Sequence, residues 1–280
     1  VIVFPELCIC GYTCGDLLLQ SSLVDECMEV LRKLAYSTRK VDAVIAVGLP
    51  VEKGMRLYNV VAIMHRGRVL GFVPKKNVPN YSEFYEKRYF SAGDEVAEPV
   101  MFTDEKGETY PVPFGTNILF ACENIPELVI AAEICEDVWV PCPPSTAHAL
   151  AGATVIVNTS ASNALTGKSE YRYQLITGQS ARLVCGYVLA NAGEGESTQD
   201  LVFSGHNLIA EDGTVLAESE QFGSGAIFGD LDLERIRSER RRLGSFPADS
   251  TVYCTVNFTL EKEALETVVE LLDTEKMYGF

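Results

Sequence analysis

Short apolar runs, many rich in β-branched residues, recur along the chain: VIVF, DAVIAVGLP, YNVVAIMH, LVIAAEIC, TVIVNTS and YVLANA. Between them lie segments whose apolar residues repeat at helical intervals. Continuous apolar runs of this length suit strands covered on both faces, so the pattern predicts a layered α/β domain. Two stretches, AIMHRGRVLG and LIAEDGTVLAES, read as strand, tight Gly turn and strand. Antiparallel hairpins therefore accompany the βαβ connections, and the sheets are expected to be mixed.

Two crossovers follow strand ends. In EDVWVPCPPSTAHALAGA, Pro143 and Pro144 precede Ser145 as the expected N-cap, and Gly152 is the stop. In KSEYRYQLITGQSARL, the positions Tyr171, Leu175, Ile176 and Leu183 mark the apolar face of a second helix. The tail TLEKEALETVVELLDTEK places Leu265, Val268, Val269 and Leu272 among acids, which predicts an amphipathic helix with a solvated charged face. No internal repeat, Walker A sequence or Ser-Gly-Gly pyrophosphatase loop is present, which argues against nucleotide handling by this stretch alone.

Composition narrows the partners. The formal net charge of −16 repels nucleic acid and anionic membranes, and a small neutral or zwitterionic substrate fits better. Every strongly apolar run falls far short of the roughly 20 residues a bilayer span needs. Nine cysteines is an odd number, and Cys8, Cys10, Cys27, Cys122 and Cys185 lie in apolar surroundings, as reduced thiols do in cytosolic cores. A cytoplasmic setting without full disulfide pairing is the expectation. VIVF already reads as a buried strand at the first residue, which is not Met, so a chain truncated at its N-terminus is expected.

Cys135 ends an apolar strand just before a turn and a crossover helix, a position that holds a nucleophile clear of the sheet near backbone N–H donors. Its neighbours Glu133, Glu136 and Asp137 are acids, which oppose thiolate formation. A thiol with a reference pKa of about 8.5 needs a base or a cation to be useful. His65, His148 and His206 lack an orienting motif and read as surface or capping residues. Cys8, Cys10 and Cys14 in CICGYTC have no second ligand pair at zinc spacing, so packing rather than metal binding is expected. Two charged residues stand out instead: Glu6 and Lys75 each directly follow a proline at a strand end, where catalysts gather in α/β sheets.

FPEL with GYT, PKKNVPNYSEFYEKRYFSAG and EICED, in that order, resemble the carbon–nitrogen hydrolase (nitrilase) superfamily. FPELCICGYTCGDLLLQ, PNYSEFYEKRYF, EICEDVWVPCPPS and SFPA resemble the glutaminase domains of glutamine-dependent NAD+ synthetases in particular. The likeness implies a four-layer α-β-β-α nitrilase-like sandwich. It implies Glu6 as general base, Lys75 as the cation that stabilises the oxyanion, and Cys135 as nucleophile; Lys75 then offsets the flanking acids, which are expected to be more distant and hydrated. Tyr81, Ser162 and Lys168 are implied for the two ends of glutamine, with Glu136 and Trp139 as further lining. Glu83 and Glu86 compete as an additional acid. Asn163 stands where many relatives have proline, and the strand and helix that precede the Glu-bearing strand in the family are absent from this sequence.

The implied reading is one glutaminase domain over 1–280 that uses no cofactor and forms homo-oligomers. A synthetase domain after Phe280 would use ATP and deamido-NAD+ and receive the ammonia. A free-standing amidase or carbamoylase on another small amide is the alternative reading, and a catalytically silent assembly module is a third.

Overall fold

In the strand Val44–Lys53, the side chains of Ile45, Val47 and Leu49 enter one apolar cluster while Val44 and Ala46 enter another. Strand geometry sends successive side chains to opposite faces. A run that is apolar at every position is therefore a strand covered twice, and this rule organises the whole molecule. The computed structural model describes residues 1–198, 200–246 and 252–261.

One sheet contains β1 (Ile2–Val3), β2 (Val44–Lys53), β3 (Arg56–His65), β4 (Arg68–Pro74), β5 (Glu98–Thr103) and β6 (Thr109–Phe114), in the order β1-β2-β3-β4-β6-β5. The other contains β7 (Ile118–Cys122), β8 (Val129–Ile134), β9 (Val155–Ser160), β10 (Gly186–Asn191), β11 (Leu208–Glu211), β12 (Thr214–Glu218) and β13 (Cys254–Phe258), in the order β12-β11-β10-β9-β8-β7-β13. Both are mixed. The pairs β3–β4 and β11–β12 are the antiparallel hairpins expected from the sequence, β2–β3, β5–β6 and β7–β8 are further antiparallel pairs of consecutive strands, and β8–β9 and β9–β10 are parallel.

Three apolar clusters define four layers. The helix α1 (Ser21–Ser37) buries Cys27, Leu31 and Ala35 against the outer face of the first sheet. Val44, Ala46, Val61, Ile63 and Val73 meet Ile118, Phe120, Ile130 and Val155 between the sheets. Outside the second sheet, α2 (Pro144–Leu150) and α3 (Lys168–Leu183) cover Ala131, Ile156, Tyr187 and Leu189. The result is the α-β-β-α sandwich expected from the sequence. A further helix, α4 (Leu233–Arg242), is amphipathic and highly charged. Among the described residues no helix is long and apolar enough to cross a membrane.

Several local expectations change. VIVF does not form a buried strand: among the described residues β1 is a two-residue edge paired with β2, and Val1, Ile2 and Phe4 are 52%, 43% and 45% exposed. Ser145 lies inside α2 rather than capping it. Pro143 is the cap, and the Ser145 N–H donates to Glu133 Oε2 at 2.8 Å. On α3 the buried face is Arg172, Ile176, Gln179, Ser180 and Leu183, while Tyr171 is exposed. All three histidines are buried rather than at the surface. Each has a polar partner that makes burial tolerable: Asp42 for His65, Tyr253 for His148, and Arg172 with Glu218 for His206. The tail expected to be amphipathic and Pro247–Ala248 of SFPA lie outside the described residues.

Candidate active site

Four strand ends converge at one end of the sandwich. Glu6 follows β1, Lys75 directly follows β4, Cys135 directly follows β8, and Ala161 and Ser162 follow β9. Glu6 is drawn inward because its turn packs onto β2 at Gly48, where a Cβ would lie 2.2 Å from the Leu7 nitrogen and 2.9 Å from the Glu6 carbonyl carbon. Only glycine permits that approach. Leu7, at φ +49°, turns the chain sharply after Glu6, and the Glu6 N–H reaches Ser160 O of the second sheet at 3.3 Å. Lys75 is fixed through its backbone, donating to Asn59 O and accepting from the Gly93 N–H, both at 2.8 Å.

Glu6 and Lys75 are fully buried and joined at 2.7 Å, Oε1 to Nζ. Lys75 Nζ also meets Glu86 Oε1 at 2.6 Å. Of the two competing acids, Glu86 is therefore the one bonded to Lys75. Asn59 Nδ2 donates to Glu6 Oε1 at 2.6 Å, the Ala161 N–H donates to Glu6 Oε2 at 2.8 Å, and the Tyr12 hydroxyl donates to Glu86 at 2.8 Å. Glu83 lies apart, accepting from Asn163 Nδ2 at 2.5 Å.

One ammonium between two carboxylates leaves a net negative charge where water cannot reach it. Burial pushes the Glu6 carboxyl up to about 7; Lys75 pulls it down and Glu86 adds to the rise. Burial also works against the Lys75 ammonium, but Glu6 and Glu86 outweigh it and hold its pKa well above the ordinary lysine value. The cluster is thus a permanent cation beside a carboxylate that exchanges a proton near neutrality.

Cys135 sits at φ +40°, in the left-handed region that non-glycine residues seldom occupy. Its sulfur couples electrostatically to Glu6, Lys75 and Glu86, and the Ala161 N–H that binds Glu6 works to lower its pKa. Burial and then Glu6 push the thiol up to about 12, although Lys75 opposes them. The resting group is a neutral thiol beside a base.

The flanking acids are not the hydrated groups expected from the sequence. Glu133 and Asp137 are buried. Asp137 accepts from the Ile134 N–H at 3.0 Å and the Asn77 N–H at 2.7 Å, and Glu133 accepts from Ser145 and Tyr187. Hydrogen bonding, not hydration, satisfies these carboxyl groups. Glu136 alone is half-buried, accepting from the Tyr81 hydroxyl at 2.9 Å.

Of the residues expected to recognise substrate, Tyr81 is exposed, Lys168 half-buried and Ser162 buried. Tyr81 is 54% exposed, and it borders an open cleft of about 600 Å³ with Asn77, Lys87 and Glu136. Lys168 donates to Asn163 Oδ1 and lies 5.2 Å from the Trp139 ring centroid and 5.5 Å from that of Phe84. Burial lowers its pKa. Coupling to Cys135 extends to Tyr81, Lys168 and Arg172. Ser162 is buried, and its hydroxyl oxygen accepts from Arg172 at 3.0 Å.

Sequence reasoning missed Asn59, Tyr12 and Arg172. Asn59 had a signal, a lone amide inside the apolar run YNVVAIMH; Tyr12 and Arg172 had none beyond their chemistry.

The sequence profile of the Carbon-nitrogen hydrolase family matches residues 1–241. The chain is 45% identical over 246 residues to the glutamine-dependent NAD(+) synthetase of Mycobacterium tuberculosis (strain H37Rv), covering 87% of this chain and 36% of the relative. It therefore spans about a third of the length of the curated relatives it matches. The crystal structure of a glutamine-dependent NAD(+) synthetase from Cytophaga hutchinsonii superposes with a TM-score of 0.68 at 32% identity, over 79% of this chain and 34% of that one. A carbon-nitrogen hydrolase from Helicobacter pylori shares the fold, with a TM-score of 0.64 at 19% identity over 86% of this chain and 80% of that one.

Proposed function

Because the chain belongs to the carbon–nitrogen hydrolase family, we propose that residues 1–280 act as a glutamine amidohydrolase domain, with Cys135 as nucleophile, Glu6 as general base and Lys75 as the cation for the oxyanion. One observation carries the reading: a buried Glu6–Lys75 pair at 2.7 Å couples electrostatically to a cysteine held at φ +40° at the end of β8. The 45% likeness to a glutamine-dependent NAD(+) synthetase supports the choice of amide.

The Cys135 sulfur attacks the side-chain amide carbon as its proton passes to Glu6, and the carbonyl electron pair becomes an oxyanion held by Lys75. The Cys135 N–H is taken by Asn158 Oδ1 at 3.0 Å, so any backbone donors to the oxyanion come from elsewhere. When the C–N bond breaks, Glu6 returns its proton to nitrogen and ammonia leaves. Water then attacks the thioester, Glu6 accepts its proton, and glutamate departs as the thiol is restored. A base poised near neutrality serves both halves.

At the mouth, Lys168 meets the α-carboxylate of glutamine, and Tyr81 and Ser162 supply hydrogen bonds to its polar end, with Glu136 alongside. The step needs no cofactor. ATP and deamido-NAD+ belong to a synthetase domain proposed to follow this one and to consume the ammonia, and self-association through the sandwich faces is part of the same proposal.

The test is ammonia release from glutamine across a pH series, with a panel of other small amides alongside. The wild-type rate should fall as pH drops through about 7, where Glu6 takes up a proton, and Cys135→Ala should release no ammonia at any pH. Equal rates from both proteins would discard the proposal. Preference for an amide lacking the amino-acid end would move the assignment to a free-standing type of amidase.

A further inference from the structure

Three polar side chains lie in a row on the helix-covered face of the second sheet, where their neighbours Ala131, Ile156 and Leu189 are apolar. Glu133 on β8 pairs in register with Asn158 on β9, and Tyr187 comes from β10 on the far side of β9. All three are buried. Their hydrogen bonds run in one direction. The Cys135 N–H donates to Asn158 Oδ1 at 3.0 Å, Asn158 Nδ2 donates to the Tyr187 oxygen at 3.0 Å, and the Tyr187 hydroxyl donates to Glu133 Oε1. Glu133 Oε2 accepts the Ser145 N–H at 2.8 Å, and the Ser160 hydroxyl donates to the same Asn158 oxygen at 3.0 Å.

The direction matters chemically. Burial pushes the Glu133 carboxyl up to about 7. Above that pH it is a carboxylate that only accepts, which fixes the Tyr187 hydroxyl as its donor; that hydroxyl must then accept from the Asn158 amino group, which turns the amide oxygen toward Cys135. Apolar side chains of similar volume would hold a sheet together as well as a buried polar row. What the row adds is a fixed acceptor for the backbone of the one residue in this turn that is held at a positive φ.

We propose that Glu133, Tyr187 and Asn158 are positioning residues that act as a directional relay, holding the Cys135 turn in its strained form so that the thiol faces Glu6 and Lys75. The proposal rests on the reading of Cys135 as nucleophile. When the relay is cut, the turn relaxes and the sulfur leaves its base, while the substrate mouth is untouched.

Tyr187→Phe removes one hydroxyl and keeps the ring. At pH 8 its kcat for glutamine should fall about tenfold, with KM within twofold of wild type. Alkylation of Cys135 by iodoacetamide, followed by peptide mass, should slow by a similar factor. Glu133→Gln should behave alike, and the double variant should be no slower than the worse single variant, because one relay cannot be cut twice. Ile176→Val, in the same apolar layer but outside the relay, serves as a control for general loosening and should keep both rates.

Wild-type kcat and alkylation in a folded Tyr187→Phe, additive losses in the double variant, or equal losses in Ile176→Val would each overturn the relay. Should Tyr187→Phe fail to fold, Glu133→Gln carries the same measurements. Alkylation needs no glutamine, so a wild type that alkylates but does not turn glutamine over removes the glutaminase reading and leaves the relay to be judged on alkylation alone.

Discussion

The Glu6–Lys75–Glu86 cluster and the proposed substrate mouth, whose Tyr81 and Lys168 also couple to the Cys135 sulfur, are supported differently. Glu6 and Lys75 sit at strand ends, are buried, and find hydrogen-bond partners within the molecule. Tyr81 lies on a connecting segment and is exposed, and Lys168 opens a helix while resting against two aromatic rings. Groups that move protons need fixed distances, and strand ends supply them; groups that admit a ligand need exposure, and connecting segments supply that. Altering the cluster should therefore damage rate and stability together, whereas altering the proposed mouth should change affinity alone.

The largest effect is expected for Lys75→Met. It leaves two carboxyl groups in a dry cavity without their cation, and a broken buried pair costs about 3–5 kcal/mol of stability. Loss of an oxyanion donor costs about 10²–10³ in kcat. Thermal unfolding with single-turnover ammonia release measures both, and a variant retaining wild-type values in both would erase the distinction between cluster and mouth.

Gly48→Ala asks whether position alone carries the cluster's effect, since it changes none of the reacting groups. The added carbon collides with the backbone around Glu6 and should cost about 1–3 kcal/mol of stability. A displacement near 1 Å costs about 100-fold in kcat. An intact rate in this variant would show that Glu6 tolerates movement.

Lys168→Ala addresses the mouth. A hydrogen bond to a charged group contributes about 1.5–3 kcal/mol net, so KM for glutamine should rise at least about tenfold. The value of kcat should stay within twofold, with little change in the unfolding midpoint. A fall in kcat with KM constant would assign Lys168 to the chemistry instead of to recognition.

How much could be read in advance differs between residues. Cys135, Glu6 and Lys75 were visible as polar interruptions at the ends of apolar runs, and the ordered motifs around them carried the family likeness. The two crossovers and the hairpins β3–β4 and β11–β12 followed from local rules of period and turn chemistry, whereas the long β2–β3 pairing was not named from the sequence. Glu83 was named first as the additional acid and Glu86 as its competitor, because a separation of three residues in an irregular segment fixes no direction; the fold turned Glu86 to Lys75 and Glu83 to Asn163. The histidines misled because their partners come from 12 to 105 residues away along the chain, and burial of a polar ring depends on such a partner being present.

Apolar periodicity, a property of neighbouring residues, was enough to predict the layered α/β architecture and the strand ends at which Glu6, Lys75 and Cys135 lie. Tertiary structure alone decided that Glu133 and Asp137 are buried and satisfied by hydrogen bonds, that Asn158 reaches the Cys135 backbone, and that Gly48 lets Glu6 approach. Those outcomes depend on register between strands and on close packing of backbones, and both are settled only when segments distant in the chain come together.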